Sequence, residues 1–427
     1  MTEQPSGGEP AVPTRPWYRR PFGDFATVPV IRRGWQVVAI SVDVVTPSGG
    51  EGRSVLPLIP HEWALTAAAT TGLFLGIRHW VTAGRAHLGT GLVADRARAG
   101  TRDRAAAEVI VNQHGRTPLD FFKLWPDKSY YFSSSRQSVI AYRVACSVAV
   151  SLGDPVGPVD ELEPLIQSFL RSCADHGRRA AFHQVLPDFL PVYRRQGLYV
   201  LKVGEEALVD LERFATRTIR RPDFRKPRRR LGAQGYRVTR EPGPHSESLL
   251  DEAEEVSREW LSLPGRRERS FALGRFDRGY LAGHPLVVVR NPADRLVAFA
   301  NQVPGIQSGV ATVDLMRHRR ETPNGLMDYL FSELMLLVHG EGYRWFSLGL
   351  APLAGVPAKP GASLAERAVH EVYEHSTTLF SFKGLRSYKA KFEPAWEESF
   401  LVYQKGHPGL LWTALALGRI THLSSDH

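Results

Sequence analysis

Two charged residues stand at the end of one predicted strand, where they could bind a ligand. The segment from Val310 to Met316 alternates apolar and polar side chains, a pattern typical of a half-buried strand, and Asp314 and Arg317 lie at its end. Strict alternation places these two residues on opposite faces of the strand. Asp314 could hold an ammonium group, and Arg317 could bind a phosphate or pair with Asp314. The alternatives are an aspartate that caps the next turn and a solvated arginine.

A helix is predicted directly after this strand. Pro323, Asn324 and Gly325 open it, and large apolar side chains follow at helical spacing from Leu326 to Leu337. A strand that leads into a helix N-terminus forms a cleft whose free N–H groups can hold an anion. Asn324 is a candidate for substrate binding, although capping this helix is the simpler role for it.

A second group of basic residues lies near the C-terminus, in the stretch GLRSYKAKFEPAW. If this stretch is extended, Lys389 and Lys391 share one face and Tyr388 lies on the other. If it is helical, Arg386 and Lys389 lie one turn apart and replace that pair. A lysine beside the cleft could hold an anionic group and stabilise charge on a carbonyl oxygen. The alternative is a pair of surface lysines.

The densest basic stretch is Arg217 to Arg230, RTIRRPDFRKPRRR, with eight basic residues and one acid. Its net charge of +7, eight minus one, is most of the chain's net charge of +10. Such a run favours a polyanion, either an RNA backbone or an anionic membrane, and the alternative is a solvated charged face. The candidate contact residues are Arg220, Arg221, Arg225, Lys226, Arg228, Arg229 and Arg230.

The elements that must position these residues form two similar series. Between residues 105 and 245, a helix, a strand meander, an amphipathic helix and further strands are typical of a mixed α/β unit. From 246 to 405, a helix, a second meander, the helix after Gly325 and two more strands, with a helix from Leu364 between them, repeat this order. The pattern predicts an internal duplication of architecture, followed by a C-terminal helix within 406–427.

The region before residue 105 has a different character. Residues 1–24 are rich in proline, glycine and arginine and are predicted to be disordered, without the apolar core of a signal peptide. Within 25–104, the stretch from Trp63 to Ile77 holds 15 residues without a charge, and a helix over 63–83 is a marginal membrane segment. An ordinary packed helix is the alternative. If the segment enters a membrane, the arginines after it keep the downstream chain cytoplasmic.

Composition and motifs exclude several other classes of protein. The chain has 427 residues and two cysteines, Cys146 and Cys173, which form no CxxC pair and indicate neither a disulfide framework nor a zinc site. Walker, HExxH and GxSxG motifs are absent from the sequence, and we expect no metal and no cofactor. A single glycine, Gly325, follows Pro323, which has no N–H group. The chain therefore lacks the glycine-rich cradle that an acyl-coenzyme A donor needs.

Six sequence blocks occur in order between about Gly115 and Tyr403: DKSYYFS, AYRV with SLGDPVGP, YRRQGLYVLKVGEEALVDL, TVDLMRHRRETPNGLMDYLF, FSLGLAPLAG and FKGLRSYKAKFEPAWEESFLVY. Together they resemble the cytosolic synthase domain of bacterial phosphatidylglycerol lysyltransferases, the multiple peptide resistance factor family. That family is similar to the Fem peptidyltransferases. The resemblance implies an α/β fold made of two tandem GNAT-like domains with mixed sheets.

The resemblance also implies a reaction. Lysine or alanine would pass from aminoacyl-tRNA to the glycerol headgroup of phosphatidylglycerol, at the cytoplasmic face of the cell membrane, and a homodimer is left open. An aminoacyl ester is already activated, so this transfer needs only alignment and proton transfer. Lys389 matches a lysine of the family's motif. Catalytic roles are therefore expected for Asp314, Arg317 and Lys389, and substrate contacts for Asn324, Arg386, Tyr388 and Lys391.

Two other functions fit the same residues. One is a related acyltransferase with another acceptor or with an acyl-coenzyme A donor. The other is a non-catalytic module that binds tRNA or an anionic membrane through the basic run from Arg217 to Arg230.

Overall fold

The computed structural model of the protein describes residues 100–303, 309–352, 382–404 and 409–421. All of them belong to one unit, Ala83–His427, and a second unit, Met1–Thr82, lies outside the described residues. The predicted segments 1–24 and 63–83 and the helix predicted from Leu364 also fall outside them. Among the helices that are described, none combines the length and the apolar character needed to cross a bilayer.

Strands and helices alternate along both halves of the described chain. The first half contains α1 (Thr101–His114), β1 (Ser129–Phe132), β2 (Val139–Ala145), β3 (Val148–Leu152), α2 (Val159–Asp175), β4 (Arg179–Val185), α3 (Leu190–Arg195) and β5 (Tyr199–Asp210). The second half contains α4 (Leu211–Thr216), α5 (Pro222–Ala233), β6 (Arg237–Glu241), α6 (Glu247–Leu261), α7 (Arg278–Ala282), β7 (Leu286–Arg290), β8 (Leu296–Val303), β9 (Val310–His318), α8 (Leu326–Gly340), β10 (Trp345–Pro352), α9 (Phe382–Ala390), β11 (Ala395–Tyr403) and α10 (Gly409–Thr421).

The described strands form one sheet in the order β1-β2-β3-β4-β11-β5-β10-β9-β8-β7-β6. Each half contains an antiparallel meander, β1-β2-β3 or β7-β8-β9. A helix then leads to a strand parallel to the third strand of the meander, which is β4 in the first half and β10 in the second. The predicted duplication and the predicted α/β class with mixed sheets are therefore confirmed.

The final strands of the two halves exchange places. β11 lies between β4 and β5, and β5 lies between β11 and β10, so each half completes the sheet of the other. The sheet is continuous across residues 245 and 246, where we predict a domain boundary, and β6 pairs with β7. The boundary itself stays a prediction.

α8 follows β9 and packs deep in the core. Leu330, Leu334 and Val338 recur at helical spacing and are fully buried. The helix begins after Gly325, which is the N-cap residue and has a φ of 78°, in the left-handed region that favours glycine. The capping role considered for Asn324 is therefore wrong, because the chain turns into the helix at the next residue.

The segment after residue 381 is helical before it becomes a strand. α9 decides between the two predicted arrangements, so Arg386 and Lys389 lie one turn apart. Phe392 follows α9 and is buried against Phe224 and Phe331, with ring centroids 4.8 and 5.8 Å away. These aromatic contacts fasten the link between α9 and β11 to helices α5 and α8.

We expect Phe392→Ala to lower the free energy of unfolding by about 3–5 kcal/mol, because the core cannot close the cavity left by a buried aromatic ring. Leu385→Ala in α9 is the control, since Leu385 is 39% exposed. Its loss should cost less than about 1 kcal/mol. Urea denaturation monitored by circular dichroism would measure both variants, and equal losses would contradict the anchoring role of Phe392.

Candidate active site

A bulge in β9 brings Asp314 and Arg317 to the same side of the sheet. The register between β8 and β9 shifts by one residue, so Asp314 and Leu315 both stand opposite Asn301. Asn301 Oδ1 accepts a hydrogen bond of 2.7 Å from Leu315 N and so holds the bulge in place. The opposite faces predicted by strict alternation are therefore wrong, since Asp314 and Arg317 both contact the segment 260–280.

Asp314 is buried and accepts hydrogen bonds from two donors. Gly274 N lies 2.9 and 3.0 Å from its two carboxylate oxygens, and Tyr280 Oη donates to Oδ2 at 3.0 Å. Asn301 Nδ2 donates to Tyr280 Oη at 2.8 Å, which orients the tyrosine hydroxyl toward the carboxylate. Burial raises the pKa of Asp314 to about 6, although these donors and Arg317 act to lower it. A buried carboxylate in this state gains strongly from a cationic partner.

Both halves of the chain close around this carboxylate. A Cβ atom at Gly274 would lie 2.1 Å from Asp314 Oδ2 and 2.5 Å from Trp125 Cζ2, so only glycine fits there. Trp125 precedes β1 in the first half, and its ring packs edge-on against Tyr280 of the second half, with centroids 4.8 Å apart. The Asp314 site is therefore assembled between the two halves.

The guanidinium of Arg317 is held at two points and open at a third. Its Nη2 donates to Glu268 at 2.8 Å, and its central carbon lies 4.2 Å from the centre of a Trp260 ring. Its Nη1 is buried and has no hydrogen-bond partner among the residues that the structure describes. A buried N–H group left in this state costs free energy that an incoming acceptor would recover.

An opening separates β9 from β10 next to these side chains. The two strands pair over only their first three residues, ending with Thr312 and Ser347. Past that point, Asp314 lies on β9, and Gly349 and Leu350 lie on β10. Ligands in open α/β sheets bind outside the carboxyl ends of parallel strands, which makes this opening the candidate cleft.

Lys389 reaches the β10 side of the opening. Its Nζ donates to Gly349 O at 2.9 Å and to Leu350 O at 2.8 Å. Burial lowers the pKa of Lys389 to about 8, and the carboxylate of Glu206 opposes this shift. Glu206 lies on β5, accepts a hydrogen bond of 2.5 Å from Ser347 Oγ, and has its own pKa raised by burial. The cation of Lys389 is thus fixed by β10 and balanced by a strand from the first half.

The other candidates on and after α9 have different partners. Arg386 pairs with Glu205 of β5 at 3.0 Å. Lys391 lies 3.5 Å from Asp328 of α8, and the ring of Tyr388 packs against the hydrophobic core. Of these four residues, Lys389 is the one that binds the β10 carbonyl groups beside the opening. Substrate contacts by the other three stay predictions.

α5 carries most of the predicted basic surface. Phe224, Pro227 and Leu231 are its buried residues, so the basic residues between them face outward. Three of the seven predicted residues have partners: Arg221 with Glu393, Arg228 with Glu333, and Arg230 with the carbonyl oxygen of the exposed Asn324. Four are exposed and form no ion pair within the described ranges: Arg220, Arg225, Lys226 and Arg229. The contact with Asn324 places this surface beside the loop that follows β9.

Several residues of this site were not predicted from the sequence, among them Asn301, Gly274, Tyr280 and Glu206. Asn301 had a signal, because an amide after the apolar run LVAFA is unusual in a buried strand and points to a specific partner. Gly274 and Tyr280 lie in a stretch without hydrophobic periodicity, and Glu206 is distant in sequence from the strand it faces. Their roles depend on tertiary contacts that no local pattern shows.

The chain is similar to proteins of known name over most of its described length. Residues 108–403 match the family described as "Phosphatidylglycerol lysyltransferase, C-terminal". The phosphatidylglycerol lysyltransferase of Staphylococcus epidermidis is 32% identical over 313 residues, and that of Bacillus subtilis is 33% identical over 303 residues. These matches cover 73% and 71% of this chain but 37% and 35% of the relatives, so the chain spans little more than a third of their length.

Two solved structures are similar to this fold at comparable identity. L-PGS from Bacillus licheniformis is 31% identical with a TM-score of 0.66, over 75% of this chain and 97% of that one. The C-terminal domain of a putative lysylphosphatidylglycerol synthetase from Agrobacterium fabrum is 30% identical with a TM-score of 0.65, over 75% and 96%. With the family match over most of its length, the chain belongs to the phosphatidylglycerol lysyltransferase C-terminal family.

Proposed function

We propose that this chain transfers an amino acid, lysine or alanine, from aminoacyl-tRNA to the glycerol headgroup of phosphatidylglycerol at the cytoplasmic face of the membrane. The observation that carries this proposal is that a buried carboxylate, Asp314, and a guanidinium with one buried N–H group left without a partner in the described chain, Arg317, lie at the same opening in the sheet. The relatives are phosphatidylglycerol lysyltransferases, which supports lysine as the amino acid and phosphatidylglycerol as the acceptor.

Asp314 binds the ammonium group of the aminoacyl donor. Its carboxylate is buried, and its hydrogen bonds to Gly274 N and Tyr280 Oη fix its direction without supplying a full positive charge. An ammonium ion supplies that charge and favours the ionised form of Asp314. Trp125 and Tyr280 form an apolar wall beside the carboxylate, which excludes water and strengthens the pairing.

Arg317 and Lys389 act on the oxygen atoms of the reaction. The buried Nη1 of Arg317 can donate to a phosphate or carbonyl oxygen, while Glu268 and Trp260 keep the guanidinium in place. Lys389 is held by two carbonyl groups on the far side of the opening. A fixed cation at that point stabilises the negative charge that develops on the attacked carbonyl oxygen.

The transfer itself is an exchange of esters. The headgroup hydroxyl loses its proton as its oxygen bonds to the aminoacyl carbonyl carbon, and the bond from that carbon to the ribose oxygen of tRNA breaks. The ribose oxygen takes up a proton, so the reaction is balanced without ATP, metal or redox chemistry. The protein therefore contributes orientation, charge stabilisation and proton transfer.

The basic surface on α5 binds the tRNA backbone. Arg225, Lys226 and Arg229 face outward from a helix that packs on α8, close to the loop that joins β9 to α8. Phosphate contacts by such residues orient a nucleic acid without reading its sequence. An anionic membrane is the alternative ligand for this surface.

The direct test is transfer of labelled lysine from lysyl-tRNA to vesicles that contain phosphatidylglycerol, by the wild-type chain and by Asp314→Asn. We expect the variant to lose at least about 10²-fold in turnover, because the swap removes the charge that holds the ammonium group. Its melting temperature at pH 7.5 should not fall, since burial already disfavours the ionised form of Asp314.

Three controls make this test specific. Ribonuclease treatment should abolish lipid labelling, and excess coenzyme A should leave it unchanged. Vesicles of phosphatidylcholine alone should stay unlabelled. Wild-type turnover in Asp314→Asn would contradict the role of this carboxylate, whereas labelling that survives ribonuclease would contradict the tRNA donor.

The pH dependence of transfer should have two limbs. The rate should rise as pH increases through about 6, where Asp314 ionises, and fall as pH increases through about 8, where Lys389 loses its proton. Lys389→Arg should keep activity and move the alkaline limb upward, because arginine stays protonated. An alkaline limb that stays in place would belong to the substrate amine and would contradict the assignment.

Lys389→Ala should lower turnover by about 10²-fold, as the loss of one stabilising donor does in other enzymes. Lys391→Ala should have a smaller effect, because Lys391 pairs with Asp328 on α8 rather than with β10. The reverse order, measured under the same saturating conditions, would show that the wrong lysine has been assigned.

Charge reversal at Arg225, Lys226 and Arg229 should weaken tRNA binding and make its log–log salt dependence shallower by about 2 to 3 units. The matched control reverses Arg102, Arg171 and Arg194, which are exposed in the first half and carry the same total charge. Filter binding at several salt concentrations would measure both. Equal slopes in the two triple variants would show that α5 is only a solvated face.

A further inference from the structure

The first half contains a second buried aspartate in the place that Asp314 has in the second half. Asp154 follows β3, the third strand of the first meander. β2 and β3 pair regularly up to Ser151, and the next pair joins Val139 to Val156. From one pair to the next the β3 side advances five residues and the β2 side three, so Asp154 lies in a bulge as Asp314 does.

The surroundings of the two aspartates are also alike. Tyr193 Oη donates to Asp154 Oδ1 at 3.0 Å, and Leu186 N donates to Oδ2 at 3.0 Å. Asp314 has the same pair of donors, a tyrosine hydroxyl and one backbone N–H group. Burial raises the pKa of Asp154 to about 7. The duplication of the fold has thus preserved a buried carboxylate with its two donors in each half.

One cation distinguishes the first-half arrangement. The buried Nζ of Lys123 lies 2.6 Å from Asp120 Oδ1 and also donates to the backbone carbonyl of Asp154. An ammonium group of the chain itself therefore occupies this region. Lys123 would repel an ammonium group on an incoming ligand. An uncharged or anionic ligand therefore suits the space that remains beside Asp154.

That space is a small cleft that opens to solvent. We call it the Asp154 cleft, and the polar side chains that line it are Arg116, Asp120, Asp154, Gln184, Glu206 and Ser399. Arg116 is 37% exposed and pairs with Asp188 at 2.9 Å, which places a cation toward solvent. Hydroxyl groups match the carboxylate and amide oxygens of this lining as hydrogen-bond donors.

Glu206 connects this cleft to the proposed reaction site. It lines the cleft, comes from the exchanged strand β5 and accepts a hydrogen bond from Ser347, the last β10 residue that pairs with β9. Its carboxylate also acts on the charge of Lys389. A ligand that reaches Glu206 from the Asp154 cleft would therefore approach Lys389.

We propose that the Asp154 cleft binds the glycerol headgroup of the lipid acceptor, which deepens the function proposed above and rests on it. The headgroup hydroxyls donate to Asp154 and Glu206, and Arg116 interacts with the phosphate near the solvent end. The two clefts then divide the substrates, with the aminoacyl ammonium at Asp314 and the polyol at Asp154. Asp314 then binds a charged donor, the ammonium group, and Asp154 binds uncharged hydroxyl donors. This difference arises because Lys123 already supplies a cation beside Asp154.

The test separates the two substrates by their KM values. Gln184→Met should raise the KM for phosphatidylglycerol in mixed micelles about tenfold, as loss of one hydrogen bond to a buried polar group does. The KM for lysyl-tRNA should change less than about twofold. Gln196→Met is the matched control for Gln184→Met, because Gln196 binds Glu163 outside the cleft. A raised KM for lysyl-tRNA with an unchanged KM for the lipid would overturn the proposal.

A binding measurement tests the cleft without turnover. Saturation-transfer NMR should detect glycerophosphoglycerol on the wild-type chain and on Gln196→Met, with a signal that is lost in Gln184→Met. Inorganic phosphate should fail to displace it, and full displacement would show a phosphate site rather than a polyol site. If the wild-type chain makes no lipid product, the proposed function fails, and this binding result alone then decides whether the cleft holds a glycerol headgroup.

Discussion

The bulge of β9 against Asn301 is the constraint on which the candidate site depends. One extra residue between two regular pairs turns Asp314 and Arg317 toward the same segment, where Gly274, Tyr280 and Trp260 receive them. Asn301 is fully buried and uses both ends of its amide, accepting from the bulge and donating to Tyr280. The residue that stabilises the irregular backbone therefore also orients the hydroxyl that binds the carboxylate, so geometry and chemistry are coupled through one side chain.

The candidate site also depends on the exchange of β5 and β11 between the two halves. A sheet in which each half lends its last strand to the other cannot separate into independent domains without exposing strand edges. The exchange brings Glu206 of the first half next to Ser347 and Lys389 of the second. Trp125 of the first half likewise packs beside Asp314 and Tyr280 of the second half. Site residues from the two halves keep fixed positions relative to one another because the hydrogen bonds of the shared sheet hold both halves in one register.

Local sequence patterns were sufficient to predict the strands and helices but not the tertiary contacts between them. The alternation around Val310 and the helical spacing after Gly325 predicted β9 and α8, because both patterns reflect burial on one side. The bulge could not be predicted, since its cause is an asparagine on a neighbouring strand. The lysine pair at 389 and 391 was ambiguous for a similar reason: its segment is helical because Phe392 and Tyr388 pack on α8, a contact between distant parts of the chain.

Buried charge is the physical support for the proposed ligand site. Burial moves the pKa of Asp314 up and that of Lys389 down, so the charged form of each group is less favoured in the protein than in water. Arg317 keeps a buried N–H group without a partner in the described chain. Each of these features costs folding free energy, and well-packed apolar side chains would avoid that cost. In the proposed complex, a cation at Asp314 and an oxygen atom at the free N–H group of Arg317 offset this cost. The aminoacyl end of an aminoacyl ester carries both groups, an ammonium group and a carbonyl oxygen.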